Sequence, residues 1–241
     1  MDFLKKQAKV EDEIFTFQIS DKTTKSVTDF YREKPFPHYN KKDNKASLLH
    51  SGDSNFLAKI FKQFVGFNKN ILEIGCGTGQ LSIYFAIGSN NRIVGLDPTK
   101  ESLKIASRFT KENKIKNVRF VNADLFDNVL KDSFFDFIWC NGVLHHTKDP
   151  YEAFKLSVKY LKKDGYILVG LYNKIGRIRT NIRKLIFKIF GKKMILKIDP
   201  ILRKNKIKAD DQIDAWIRDQ YIHPVESTHT FDEVLNWFKR N

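Results

Sequence analysis

The sequence predicts an α/β protein built on a central, mostly parallel sheet with helices on both faces. Two observations predict it. Five short apolar runs alternate with helical segments between residues 53 and 171, and the first run ends in a glycine-rich turn. A chain of 241 residues, 41% hydrophobic and 29% charged, can bury a core unaided; it is too apolar for disorder and too polar for an integral membrane protein.

In chain order, residues 1–50 are polar except for an aromatic-proline stretch at 30–39. Phe56, Leu57, Ile60, Phe61 and Phe64 then recur at helical spacing, and residues 71–74 form the first expected strand. Further strands are expected at 92–96, 118–121, 135–140 and 166–171, with helices over about 100–113 and 151–161. Ligands of such sheets bind beyond the carboxyl ends of the strands, where strand order reverses, so chemistry is expected after Ile74, Leu96, Val121, Cys140 and Leu171. Near the end, Thr230 and Glu233 form a capping box for an amphipathic helix reaching Asn241.

The expected divisions are an N-terminal lid (1–52), a core (53–173), and a basic helical insert with C-terminal helices (174–241). No strand-like run follows the last helix. Either the chain is a fragment lacking two final strands, or the sheet stops at five with an exposed edge.

Charge is uneven. Between residues 174 and 208 thirteen basic residues face Asp199 alone, a net +12 of the chain's +15. Ile178, Ile182, Leu185, Ile186 and Ile189 share one helical face there, with Arg177, Arg183, Lys184, Lys188 and Lys192 on the other. Such a helix suits an anionic membrane surface, an anionic substrate or RNA, or it docks its apolar face on the domain and solvates its charges. The N-terminal residues carry no signal-peptide run, which points to the cytoplasm, with the inner membrane face as a peripheral location. Cys76 and Cys140 belong to no CxxC pair and read as thiols near a pocket.

After the first strand comes Glu73-Ile74-Gly75-Cys76-Gly77-Thr78-Gly79-Gln80-Leu81. Glycines at such a turn let the backbone approach a nucleotide-like ligand at a helix amino end. A dinucleotide fingerprint would need glycine at position 80, where Gln80 stands. The segment instead resembles motif I of the class I S-adenosylmethionine-dependent methyltransferases. Leu96-Asp97, Asn122-Ala123-Asp124-Leu125, Phe135 through His146, and the turn Leu161-Lys162-Lys163-Asp164-Gly165 are similar to four further motifs, the last with Lys163-Asp164 in place of Pro-Gly. The fourth-strand segment looks most like the branch with small-molecule acceptors, the ubiquinone and menaquinone methyltransferases.

The resemblance implies a Rossmann-like methyltransferase fold that binds S-adenosylmethionine and releases S-adenosylhomocysteine. It places Glu73, Gly75, Cys76, Gly77, Gly79, Asp97, Pro98, Asp124, Leu125 and Asn141 around the cofactor. Asp97 would take the ribose hydroxyls, Asp124 the adenine amino group and Glu73 the methionine ammonium. Asp97 and Asp124 also suit helix N-caps.

Methyl transfer from a sulfonium is an in-line displacement; it needs an aligned acceptor and, where the acceptor carries a proton, a base. His146 and then His145 are the candidate bases, or else helix caps. Asn141-Gly142-Val143-Leu144 lacks the Pro-Pro motif of nucleic-acid amino-methyltransferases, which disfavours a base amine as acceptor and specific nucleic-acid binding. Tyr31, Phe36, His38 and Tyr39 suit an aromatic lid or a segment packed on the sheet, and Tyr172 and Asn173 stand where an acceptor could be touched. Pro224 interrupts any metal-binding helix holding His223, Glu226 and His229, so no metal is expected and a loop reaching toward the acceptor is.

The expected function is S-adenosylmethionine-dependent methyl transfer to a small-molecule or lipid-like acceptor. Two alternatives stand beside it: a cofactor-binding module that is inactive or incomplete, and an RNA-directed methyltransferase using the basic insert.

Overall fold

The computed structural model describes residues 3–40, 42–204 and 210–241. Its centre is a seven-stranded sheet in the order β1-β2-β5-β4-β3-β6-β7, formed by Lys9–Glu11, Ile14–Thr16, Asn70–Ile74, Arg92–Asp97, Val118–Asn122, Phe135–Asn141 and Leu161–Gly170 for β1 to β7. Every pairing is parallel except β1 with β2. Strand order reverses between β3 and β6, the switch point at which α/β ligands bind.

Among the described residues the α-helices are α1 (Lys22–Glu33), α2 (Lys45–Ser54), α3 (Phe56–Val65), α4 (Gln80–Ala86), α5 (Lys100–Glu112), α6 (Pro150–Lys159), α7 (Ile178–Ile198), α8 (Pro200–Arg203), α9 (Asp210–Ile217) and α10 (Phe231–Arg240). The two-residue period of the strands sorts the core. Ile71, Ile93 and Phe137 face α3, α4 and α5 with Phe61, Phe85 and Leu103, whereas Leu72, Val94 and Ile138 face α6 and α10 with Phe154 and Trp237. Both faces are therefore buried, as the unbroken apolar runs require.

The five expected strands are all present, but the sheet does not stop at five. Two more strands come from the N-terminal region expected to be a lid, and they extend the edge beside β5. Asp12 and Glu13, both at positive φ (53° and 63°), turn this hairpin, whose twist then matches the strands it joins. Ile14 is fully buried against the α5 side of the core. At the other edge β7 begins at Leu161, earlier than expected, and the left-handed residue of the turn expected there is Asp164 (φ 65°) rather than Gly165. A single parallel bridge from Asn173 to His229 continues beyond β7. The capping box of α10 forms as expected.

Of the alternatives open for the basic helix, the one in which its apolar face docks on the domain is not what forms. Ile178, Ile182, Leu185 and Ile189 of α7 point to solvent and Ile186 is half-buried; before the break the buried contacts come from Thr180 and from Arg177, the residue that precedes the helix. Gly191 breaks the helix with φ 69° and ψ −167°. Beyond the break, Ile195, Leu202, Ile217 and Tyr221 form a small separate core. Lys206 and Lys208 of the basic stretch lie outside the described residues.

The hairpin belongs to the core, so Ile14→Ala is expected to lower the free energy of unfolding by about 2–4 kcal/mol in urea melts. A loss under about 0.5 kcal/mol would mean that the hairpin is a surface ornament.

Candidate functional site

Beyond the carboxyl ends of β3, β4, β5 and β6 lies a cavity of about 450 Å³. The sequence after β3 shapes its floor. The turn from β3 to α4 passes through Gly75, Gly77 and Gly79, all at positive φ. A Cβ on Gly77 would stand 2.2 Å from the Phe36 carbonyl oxygen, so only glycine lets the two backbones meet. Asp97, the last residue of β4, fixes this turn: Oδ2 accepts the Gly77 N–H at 2.8 Å and Oδ1 the Thr99 N–H at 2.8 Å. Asn122 at the end of β5 donates to the Asp97 and Pro98 carbonyls, holding that backbone in turn.

Burial raises the Asp97 carboxyl above its usual value, against the pull of those N–H groups. Glu73, buried one strand away, accepts from the Ser82 hydroxyl and is pushed up by burial to about 8. Without a cation nearby it is mostly protonated at neutral pH, and a ligand ammonium would draw the proton off. Asp124 caps a 3₁₀ turn through Oδ1, which accepts the Phe126 N–H at 3.0 Å. Its Oδ2 is buried without a partner among the described residues, and Asp124 lines the cavity. A buried acceptor left open in this way calls for a ligand donor. The cap and the binding role expected for Asp124 therefore fall on different oxygens of one carboxylate.

Glu73, Gly75, Cys76, Gly77, Asp97, Pro98, Asp124, Leu125 and Asn141 all line the cavity. Gly79 does not; it packs on Ala106 and Phe120 below the turn. Burial raises the Cys76 thiol well above its usual value, so it contributes shape rather than a nucleophile.

A second group of wall residues comes from elements far apart in sequence. Tyr31 of α1, His146 after β6, Tyr172 after β7 and Asp219 of a π-helical turn at Arg218–Ile222 all line the same cavity. The Tyr31 hydroxyl donates to Asp219 at 2.8 Å. His146 stacks on His223 with ring centroids 3.6 Å apart, and each Nδ1 meets the Val225 carbonyl, at 2.6 and 2.7 Å. A carbonyl only accepts, so the His146 proton sits on Nδ1 and its lone pair on Nε2. Burial lowers the His146 pKa, against the Val225 hydrogen bond, which keeps the ring neutral at neutral pH.

Other residues of the expected site lie behind these walls. His145 is fully buried, stacked 3.8 Å from the Tyr172 ring, and held by burial at about 2; it is packing rather than a base. Phe36 lines the cavity, but His38 and Tyr39 lie outside it. The His38 carbonyl accepts from Gln80, and the Tyr39 hydroxyl donates to the Thr78 carbonyl while its ring packs on Phe109. This part of the expected lid is a strap pinned to the glycine turn. Asn173 likewise caps the backbone of Ile175 and Gly176.

Of the three residues weighed as metal ligands, only His223 approaches the cavity wall, through its stack on His146. Glu226 receives both Nε and an Nη of Arg177 at 2.8 Å, and Lys184 at 2.6 Å; burial raises its pKa, but these bonds override that and hold it at about 2. His229 meets Ser227 and Glu233, each at 2.9 Å. Arg177 also lies 3.8 Å over the Tyr172 ring, so this cluster braces the cavity from outside. Asp219 is among the wall residues that sequence reading did not single out; it precedes the loop expected to reach toward the acceptor, which was its signal.

A family model described as a methyltransferase domain matches residues 67–206, more than half of the chain. An uncharacterized methyltransferase of Bacillus subtilis, YcgJ, is 34% identical over 103 residues, covering 42% of this chain and 40% of that protein. A ubiquinone biosynthesis O-methyltransferase of Vibrio vulnificus is 27% identical over 176 residues, covering 68% of this chain and 72% of that protein. The chain thus spans less than half of the first relative. The structure of PKMT2 from Rickettsia typhi shares the fold, with a TM-score of 0.59 at 20% identity over 71% of this chain and 38% of that one.

Gly77→Ala is expected to weaken S-adenosylmethionine binding in titration calorimetry at least tenfold. It should also lower stability by about 1–3 kcal/mol, because the new methyl meets the Phe36 carbonyl and φ is positive. Unchanged affinity and melting temperature would remove the turn from the site.

Proposed function

The chain belongs to the class I S-adenosylmethionine-dependent methyltransferase family, and we propose that it transfers the cofactor's methyl group to a small, partly apolar acceptor held beside His146. The observation that carries this reading is the joining of two chemistries in one cavity: the Glu73, Gly77, Asp97 and Asp124 set suited to the cofactor, and the Tyr31, His146, Tyr172 and Asp219 set suited to an acceptor.

The donor set fits the cofactor by type. Asp124 Oδ2 is an open acceptor for the adenine amino group, Asp97 keeps lone pairs for ribose hydroxyls, and Glu73 is a carboxyl whose proton a methionine ammonium would displace. When bound, S-adenosylmethionine supplies an electrophilic methyl group. The protein's share is alignment and proton removal. His146 presents Nε2 as the base, its tautomer fixed by Val225 and its ring plane by His223. With the Tyr31 proton given to Asp219, both groups offer lone pairs that would orient a hydroxyl on the acceptor, while Val27 and Val143 supply apolar wall. Likeness to proteins named ubiquinone biosynthesis O-methyltransferases favours an oxygen as the methyl-accepting atom, which a phenol panel probes.

The test is acceptor-dependent formation of S-adenosylhomocysteine with a panel of catechols and related phenols. His146→Asn should lower kcat by about 10²–10⁴ with cofactor affinity intact. Because protonation silences the base and the His146 pKa lies below the ordinary histidine value, the wild-type rate should be flat above about pH 6.5 and fall only below it. Cofactor binding with no turnover on any phenol would overturn the acceptor class and favour a binding-only module; no cofactor binding would overturn the reaction itself.

A further inference from the structure

The first segment of α7, up to the break at Gly191, turns an aliphatic stripe to solvent and packs Thr180, Lys184 and Phe187 toward the protein. Ile178, Ile182, Leu185 and Ile189 fall at spacings of four, three and four, which makes one stripe on a helix. They are 52%, 55%, 60% and 65% exposed. The orientation has a cause inside the protein. Arg177 and Lys184 reach inward to the largely buried Glu226, Thr180 is buried, and Phe187 stacks on Tyr221. These contacts occupy the face opposite the stripe, so the stripe cannot turn in without breaking the pairs that hold Glu226. A stripe of four bare aliphatic side chains is a cost in water that a free surface helix would not carry.

The surroundings of the stripe say what would cover it. Arg179 and Lys188 project on either side, exposed, with no ion-pair partner among the described residues, and no acidic residue occurs from 174 to 198. A second copy of this chain would bring the same cations against these. RNA would meet the cations but gain nothing from an aliphatic stripe, which offers neither hydrogen bonds nor stacking rings. Phospholipid satisfies both: apolar residues enter the boundary between headgroups and acyl chains while long basic side chains reach the phosphates. Among the described residues no helix is long and apolar enough to cross a bilayer, so the contact is superficial.

We propose that residues 178–190 form a docking helix for an anionic lipid surface, its aliphatic stripe lying in the interface and Arg179 and Lys188 on lipid phosphates. The proposal does not depend on the reaction assigned above. It does bear on it, because Arg177, next to this helix, stacks on Tyr172 of the cavity wall and so links the membrane-facing element to the acceptor side.

The test is co-sedimentation of the full chain with vesicles of phosphatidylcholine alone and mixed with phosphatidylglycerol, at low and high salt. Binding should favour the anionic vesicles and fall with salt. Arg179→Gln with Lys188→Gln should remove that preference, weakening binding on the order of thirtyfold for two cations. Ile182→Ser with Leu185→Ser and Ile189→Ser should weaken binding to anionic vesicles at least tenfold, with circular dichroism and S-adenosylmethionine affinity unchanged, since none of these side chains is buried. Equal binding to the two lipids, no binding, or full binding by the serine variant would overturn the proposal. So would tighter binding of poly-uridine than of anionic vesicles, or a concentration-dependent dimer that the serine variant loses.

Discussion

One carboxylate at the end of one strand sets the geometry on which the site depends. By accepting the N–H groups of Gly77 and Thr99, Asp97 ties the glycine turn after β3 to the entry of α5 across the β3–β4 seam. It does so from a buried position, where leaving either donor unpaired would cost more than the bond gains. The turn held this way brings its backbone against Phe36 and Pro37; Thr78 donates to both carbonyls, through its N–H at 3.3 Å and its hydroxyl at 2.7 Å. The N-terminal segment is thereby anchored on the same turn that forms the cavity floor.

A second constraint works from the far end of the chain. Glu226 is largely buried between the buried Arg177 and the half-buried Lys184, and removing Glu226 would leave the Arg177 charge buried without its carboxylate. Around it, Arg177, Tyr172 and His145 form one stack and His146 with His223 another, while Ser227 donates its N–H to the His145 carbonyl. The candidate base therefore owes its tautomer and orientation to residues nearly eighty positions later. The same salt bridges turn α7 so that its apolar stripe faces away from the protein.

The parts of this architecture written in local patterns were legible in the sequence. The glycine turn, Asp97, Asp124, the strands from β3 to β7 and the α10 capping box each depend on residues a few positions apart. The β1–β2 hairpin was not legible, because three-residue strands carry no usable period and its turn is Asp12-Glu13 rather than an Asn-Gly pair. The two faces of α7 could be read from spacing, but the choice of which face turns inward could not; Glu226, more than forty residues downstream of Arg177, makes it. His38, Tyr39 and His145 carry chemistry-bearing side chains beside true wall residues, and sequence proximity alone cannot separate a wall from what supports it.

The central claim is that the glycine turn and the strand ends of β4 and β5 form the cofactor seat, braced but not contacted by α7. Hydrogen exchange with and without S-adenosylhomocysteine measures this along the whole chain. The account predicts slowed exchange at residues 75–80, 97–99 and 124–126, with residues 178–190 unchanged. Protection confined to α7, or none at the glycine turn with the ligand bound, would contradict it.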